Sequence, residues 1–347
     1  MTQSLRSFSR MAVAAVALAA PAALFAADAD AAEVNLYSAR KEELIRPMLD
    51  EFTKETGITV NVLTADADQL VERIKSEGAN SPADVLMTVD AGRLYRAKQE
   101  GILQSIDSPA LEAAVPAHLQ DKDNEWFGLS QRARVVFYSK DRVKPEELST
   151  YEDLASDKWK GRICIRSSGN IYNLSMMAAM ISRHGEEKAK EWADGMVANL
   201  ARAPQGGDRD QIKAVAAGEC DIAIANTYYA VGMLASKDEA DVKAAQAVEV
   251  FFPNQQTTGT HVNVSGAGVV KNAPHKDDAV KLLEWLAGDK AQAMYAEVNG
   301  EYPVVAGVPW GDTLKGWGEF KMDDLPMDNL GEYNAAAVKV FDQAGWR

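Results

Sequence analysis

Histidine is scarce in this chain of 347 residues: there are four, His118, His184, His261 and His275, and no two lie within one helical turn. A local imidazole cluster for zinc or nickel is therefore excluded. Cysteine is scarcer, with Cys164 and Cys220 alone, so neither a thiolate cage nor a dense disulfide framework can be built. Positive charge is in deficit, 37 Lys plus Arg against 51 Asp plus Glu. Duplex nucleic-acid binding needs an excess of cations to displace counterions from phosphates, and that excess is missing. Short motifs of nucleotide and hydrolase sites are also missing: no G-x-G-x-x-G follows a strand, and no G-x-x-x-x-G-K-[ST], G-x-S-x-G or H-E-x-x-H occurs.

What is present is the composition of a folded protein, 47% hydrophobic and 25% charged, with a length that suits two domains. Residues 1–31 read as an export signal: Arg6 and Arg10 precede the apolar run 11–25, and Ala29-Asp30-Ala31 supplies a small-x-small cleavage pattern. That run is too short to span a bilayer, which takes about 20 residues, so the mature chain is expected to start near Ala32, soluble and exported. An oxidising destination makes Cys164 and Cys220 a candidate disulfide, with two buried free thiols as the alternative.

Along the mature chain strand-like runs alternate with amphipathic helical ones, which reads as an α/β fold with a largely parallel sheet. Strands are expected at 34–37, 59–63 and 84–89, with helices at 44–56, 67–77 and 94–100, stopped by Gly57, Gly78 and Gly101. The alternation resumes from 162, with strands at 162–165, 220–226, 248–252 and 262–270. Extended segments near 130–138 and 250–264 separate the two blocks without a Gly/Ser or Pro-rich tether. That pattern suits two lobes joined by a pair of strands, able to close on a ligand.

Tyrosine is the chemistry-bearing residue in supply. Tyr172 falls in the first turn of a helix that follows strand 162–165, and Tyr228 and Tyr229 start the helix after strand 220–226, with Asn226 or Thr227 as N-cap. In open α/β sheets the ligand lies beyond the carboxyl ends of the strands, where all three phenols then sit. Neighbours at a helix start are about 100° apart, so Tyr228 and Tyr229 can share one target. Phenols titrate near 10, and three would ionise together at neutral pH only against a strong Lewis acid such as ferric iron. An aromatic wall, or a stacking cleft for a polyamine or sugar, is the other reading of the same spacing.

Residues 33–40 (EVNLYSAR), 72–90 (ERIKSEGANSPADVLMTVD), 132–135, 144–154 (KPEELSTYEDL), 158–168 (KWKGRICIRSS), 225–229 (ANTYY), 251–255 (FFPNQ) and 259–266 (GTHVNVSG) resemble the periplasmic ferric iron-binding proteins of ABC transporters, most of all the cyanobacterial type. The resemblance covers nearly all of the mature chain. It implies a two-lobed periplasmic binding protein fold of type II, with a two-strand hinge and Fe(III) in the interlobe cleft. It implies metal ligation by Tyr172, Tyr228 and Tyr229, delivery to an inner-membrane ABC permease, monomeric action and no enzymatic activity. The first lobe is expected over 32–131 plus about 260–308 and the second over 132–259, with 309–347 packing on the second. One departure stands out: cyanobacterial relatives continue Y-S-x-R with His-Tyr, where this chain has Lys41 and Glu42, followed by Glu43. Glu42 becomes the first-lobe candidate ligand in place of that phenol. Other relatives complete the iron shell with carbonate held by arginines, which points to Arg40, Arg132 and Arg134.

Overall fold

The computed structural model describes residues 32–347, so the export signal read over 1–31 lies outside the described residues. Alternating burial builds the first strands. In β1 (Glu33–Ser38) Val34 and Leu36 face a core, and β2 (Thr59–Thr64) pairs parallel to β1, as does β3 (Val85–Thr88) on its other edge. Helix Glu42–Thr56 crosses from β1 to β2, burying Ile45, Met48, Leu49 and Phe52 at the three-and-four spacing of one helical face. It ends at Gly57, whose φ of 75° is the left-handed conformation that terminates helices.

The remaining strands are β4 (Phe127–Ser139), β5 (Ile163–Cys164), β6 (Ile222–Asn226), β7 (Val248–Phe251) and β8 (Val262–Val269). The sheet order is β2-β1-β3-β8-β4-β6-β5, with β7 also on β4. The sheet is mixed, not largely parallel as the alternation suggested. β8 runs antiparallel to β3 and β4, and β4 runs antiparallel to β6 and β7. Parallel order survives in β1/β2, β1/β3 and β5/β6. The cause is the two long crossing strands, which return through the sheet without a helical crossover.

Two α/β lobes share this sheet and meet on β4. From Phe127 to Ala133 the strand pairs with β8, and from Arg134 to Ser139 it pairs with β6 and β7. The second crossing is the segment between β7 and β8. There Gly259 has a φ of 95°, and a Cβ at that position would stand 2.6 Å from the backbone of Met322, so only glycine fits. Packing on one side of the crossing includes Phe52, Leu86 and Trp126; Trp159, Trp192 and Phe341 pack in a second cluster.

Beyond 309 the chain is more helical than its glycines suggest, with helix Asn334–Ala344 packed on helices Ile171–His184 and Glu186–Ala198. The short helix Asp328–Glu332 touches both sides of the crossing: Asn329 donates to the Ser182 hydroxyl at 2.9 Å, and a Cβ on Gly331 would meet the Tyr95 ring. No helix among the described residues is long and apolar enough to cross a membrane.

Cys164 and Cys220 form a disulfide, with Cα atoms 5.9 Å apart and a sequence separation of 56. It ties the end of β5 to the residues leading into β6. Cross-linking a loop of that length is expected to contribute about 4 kcal/mol by restricting the unfolded chain. Denaturant titration of the protein with and without a thiol reductant measures this, and equal midpoints would contradict it.

Candidate metal centre

Two strand-to-helix junctions carry the site. After β5 the turn 165–170 leads into helix Ile171–His184, and the Asn170 side chain caps it by accepting from the Tyr172 amide at 3.2 Å. Tyr172 is thereby held in the first turn. After β6, helix Thr227–Leu234 begins with Tyr228 and Tyr229. Asn226 occupies its N-cap, yet its side chain makes no capping bond, because Arg134 holds the amide oxygen at 3.1 Å.

These junctions bring the three tyrosines together. The Tyr228 hydroxyl donates to that of Tyr172 at 3.1 Å, and the rings of Tyr228 and Tyr229 lie 4.3 Å apart with a 35° tilt. All three line one cleft of about 260 Å³ with Arg40, Arg132 and Glu43. Burial pushes the Tyr228 phenol well above its ordinary value, and the neighbouring phenols of Tyr172 and Tyr229 push it further. Tyr229 is raised in the same way, by burial first and then by Tyr172 and Asp208. Among the described residues no group of three or more His, Cys, Asp or Glu could hold a metal.

The arginines differ in their surroundings. Arg40 is buried and already paired: it meets Glu301 at 2.6 Å and the Ser265 hydroxyl at 3.0 Å. Arg132 is buried beside the cleft, one nitrogen donating to Ser265 at 3.2 Å, while its Nε and Nη2 have no hydrogen-bond partner. Arg134 does not line the cleft. Its guanidinium is spent on Asp208 at 3.0 Å, Asn226 and Asn173. All three guanidinium carbons of Arg132, Arg134 and Arg166 lie within 6.0 Å of the Tyr172 ring centre.

Glu42 is not in the cleft. It is exposed and accepts two bonds from Arg46, four residues along its own helix, whereas Glu43 lines the cleft. The ion pair with Arg46 holds the Glu42 carboxylate away from the tyrosines and leaves Glu43 as the glutamate of this turn on the cleft wall. Asn299, which sequence reasoning passed over, also lines the cleft, buried and with neither amide atom bonded. Its signal was available: it precedes Gly300, whose φ of 63° ends helix Asp289–Asn299 at the cleft wall.

A family model for bacterial extracellular solute-binding proteins matches residues 47–322. The chain belongs to that family. It is 53% identical over 315 residues to Iron uptake protein A1 of Synechocystis, covering 91% of this chain and 88% of the relative. Iron uptake protein A2 of the same organism is 47% identical over 323 residues, covering 92% of each chain. Among solved structures, Trichodesmium IdiA (FutA) in complex with iron and citrate superposes with a TM-score of 0.89 at 54% identity, over 91% of this chain and all of that one. The α/β fold described above matches that structure and also the ferric ion-binding protein A of Pasteurella haemolytica, at a TM-score of 0.85 and 48% identity over 90% of this chain and 98% of that one.

Proposed function

We propose that this protein binds ferric iron in the cleft through Tyr172, Tyr228 and Tyr229 and delivers it to an inner-membrane ABC permease. The observation that carries the reading is the meeting of three phenols from two separate junctions, two of their hydroxyls 3.1 Å apart. Left protonated, they would be an odd lining for a polar cleft. A small trivalent ion is the cargo that profits most from three hard anionic oxygens. The relatives named for iron uptake, and the relative solved with iron and citrate, support the same assignment.

Only the second lobe offers strong ligands, so the first lobe contributes through other groups. Arg132, whose Nε and Nη2 make no hydrogen bond and whose nearest carboxylate, Asp90, stands 3.9 Å away, suits a small anion such as carbonate that completes the iron shell. Arg40 serves that purpose less well because Glu301 already neutralises it. Glu43 and Asn299 stand on the cleft wall from the first lobe, as Arg40 does. On this reading residues 32–131 with about 260–308 close on 132–259, and the short helix Asp328–Glu332 follows both. The protein acts in the periplasm as a monomeric carrier and catalyses no bond change.

A polyamine is disfavoured by charge. The cleft presents Arg40, Lys41, Arg132 and Arg209 against two carboxylates, Glu301 and Glu43, which already pair with Arg40 and Lys41. Calorimetry with ferric citrate and with spermidine separates the two cargoes. Ferric citrate is expected to bind at one ion per chain with a visible phenolate-to-iron charge-transfer band, and spermidine is expected to give no heat. Saturable heat from spermidine without colour from iron would overturn the assignment.

A further inference from the structure

Behind the tyrosines, away from the cleft, lies a buried polar cluster that nothing in ferric ligation itself requires. Its centre is Arg134 and Asp208, both almost wholly shielded from water and paired at 3.0 Å. Arg134 reaches in two further directions. One nitrogen donates to the Asn226 side chain at 3.1 Å, two residues before Tyr228, and the other to Asn173 at 2.5 Å, the residue after Tyr172. Asp208 repeats the bridge: it accepts from the Asn226 amide at 3.3 Å and pairs with Arg166, in the turn before Tyr172. Asn173 closes the ring by donating to the carbonyls of Arg166 and Ser167 at 2.8 and 3.0 Å.

Backbone placement adds a second constraint. Arg134 sits opposite Asn226 in the β4/β6 register, and its amide donates to the carbonyl of His261 at 2.9 Å. It is therefore the residue at which β4 leaves β8 and takes up β6. A bidentate planar guanidinium can hold several acceptors at fixed angles, which an ammonium cannot.

We infer that Arg134 and Asp208 are positioning residues for metal binding, setting the separation between the Tyr172 junction and the Tyr228–Tyr229 junction and thereby the geometry of the three phenolates. This rests on the tyrosine reading of the cleft. It assigns Arg134 a different role from that of anion holder. The pair touches no cargo; it acts through the two helix starts. Replacement of supporting residues around metal ligands typically costs about 10- to 100-fold in affinity.

The test compares three variants with the native protein, each loaded with ferric citrate. Arg134→Met with Asp208→Asn removes the two fully buried charges together, and the cation left without its carboxylate, Arg166, is partly open to water. Asn173→Ala keeps the ion pair and cuts only the arm to the Tyr172 junction. Arg134→Lys keeps the charge and loses the fork. Melting of the metal-free protein reports folding, the maximum and intensity of the charge-transfer band report phenolate geometry, and stopped-flow removal of iron by excess EDTA reports retention. Expected are folded variants with displaced bands and iron loss about 10- to 100-fold faster, the Arg134→Lys variant lying between. Should the double variant not fold, Asn173→Ala decides. Native bands and native removal rates in folded variants would overturn the positioning role. A native protein that shows no band at all would overturn the tyrosine reading instead, so the two failures are distinct.

Discussion

The double substitution Tyr228→Phe with Tyr229→Phe is expected to abolish the visible band of the iron-loaded protein and to lower ferric affinity by more than about 100-fold, beyond what changes to supporting residues produce. Each Phe keeps the ring and removes one anionic oxygen, so packing is nearly conserved. The 4.3 Å ring contact between the two residues is aromatic and does not need the hydroxyls. Loss of one hydroxyl frees the Tyr172 hydroxyl from its 3.1 Å partner, a small loss at a half-buried site. Melting should therefore hold while iron binding collapses. Competition against a chelator of known affinity measures the loss of binding, and visible absorbance measures the loss of the band. Unchanged affinity and colour would remove the tyrosines from the metal centre.

A second large effect is the dependence of binding on pH. In the metal-free cleft burial raises both Tyr228 and Tyr229 above the ordinary phenol value of about 10, so both carry protons throughout pH 5 to 8. Ferric iron binds the deprotonated oxygens and must displace those protons. The sign follows: affinity rises with pH across the whole window and is lost as pH falls. With at least two protons released, the slope is about 100-fold per pH unit or steeper. Proton release counted in weakly buffered solution, as iron is transferred from a chelator of known titration, checks the number. The Tyr228→Phe variant should release one proton fewer. Release of less than one proton per ion by the native protein would contradict the phenolate mechanism.

Much of the scaffold could be read before any coordinates. Helix Ala67–Glu77 has the bounds that its apolar spacing and Gly78 indicate, and helix Glu42–Thr56 differs only by an earlier start. Such elements are specified locally, by periodicity and by a glycine free to adopt positive φ. Strand direction was less legible. β4 and β8 are read correctly as extended, but nothing in their residues says that they run antiparallel through the sheet, since direction depends on partners far along the chain. Past Pro309 glycines 311, 316 and 318 suggest loop and short helix, and helix Asn334–Ala344 runs longer than that; its burial against Trp192 through Trp346 is a tertiary effect.

At the site the same division holds, residue by residue. Tyr172, Tyr228 and Tyr229 are legible because the strand-turn-helix pattern fixes where a first-turn residue must point. The arginines are not. Arg132 and Arg134 are two apart on one strand, and alternation alone puts both on one face. Only the packed structure shows that Arg134 is consumed by Asp208, Asn226 and Asn173 while Arg132 keeps free donors beside the cleft. Glu42 and Glu43 present the same difficulty, settled by the bond from Arg46 to Glu42.

The sequence by itself determined the element types, the supply of phenols in place of imidazoles, and the two junctions that carry them, because each depends on neighbours within a few residues. The tertiary structure alone decided which charges meet. Asp208 stands 74 residues from Arg134 and Glu301 stands 261 from Arg40, yet each neutralises its partner in a buried site. Charge interactions act through space, and their strength depends on how much water remains between the groups, which no local pattern records.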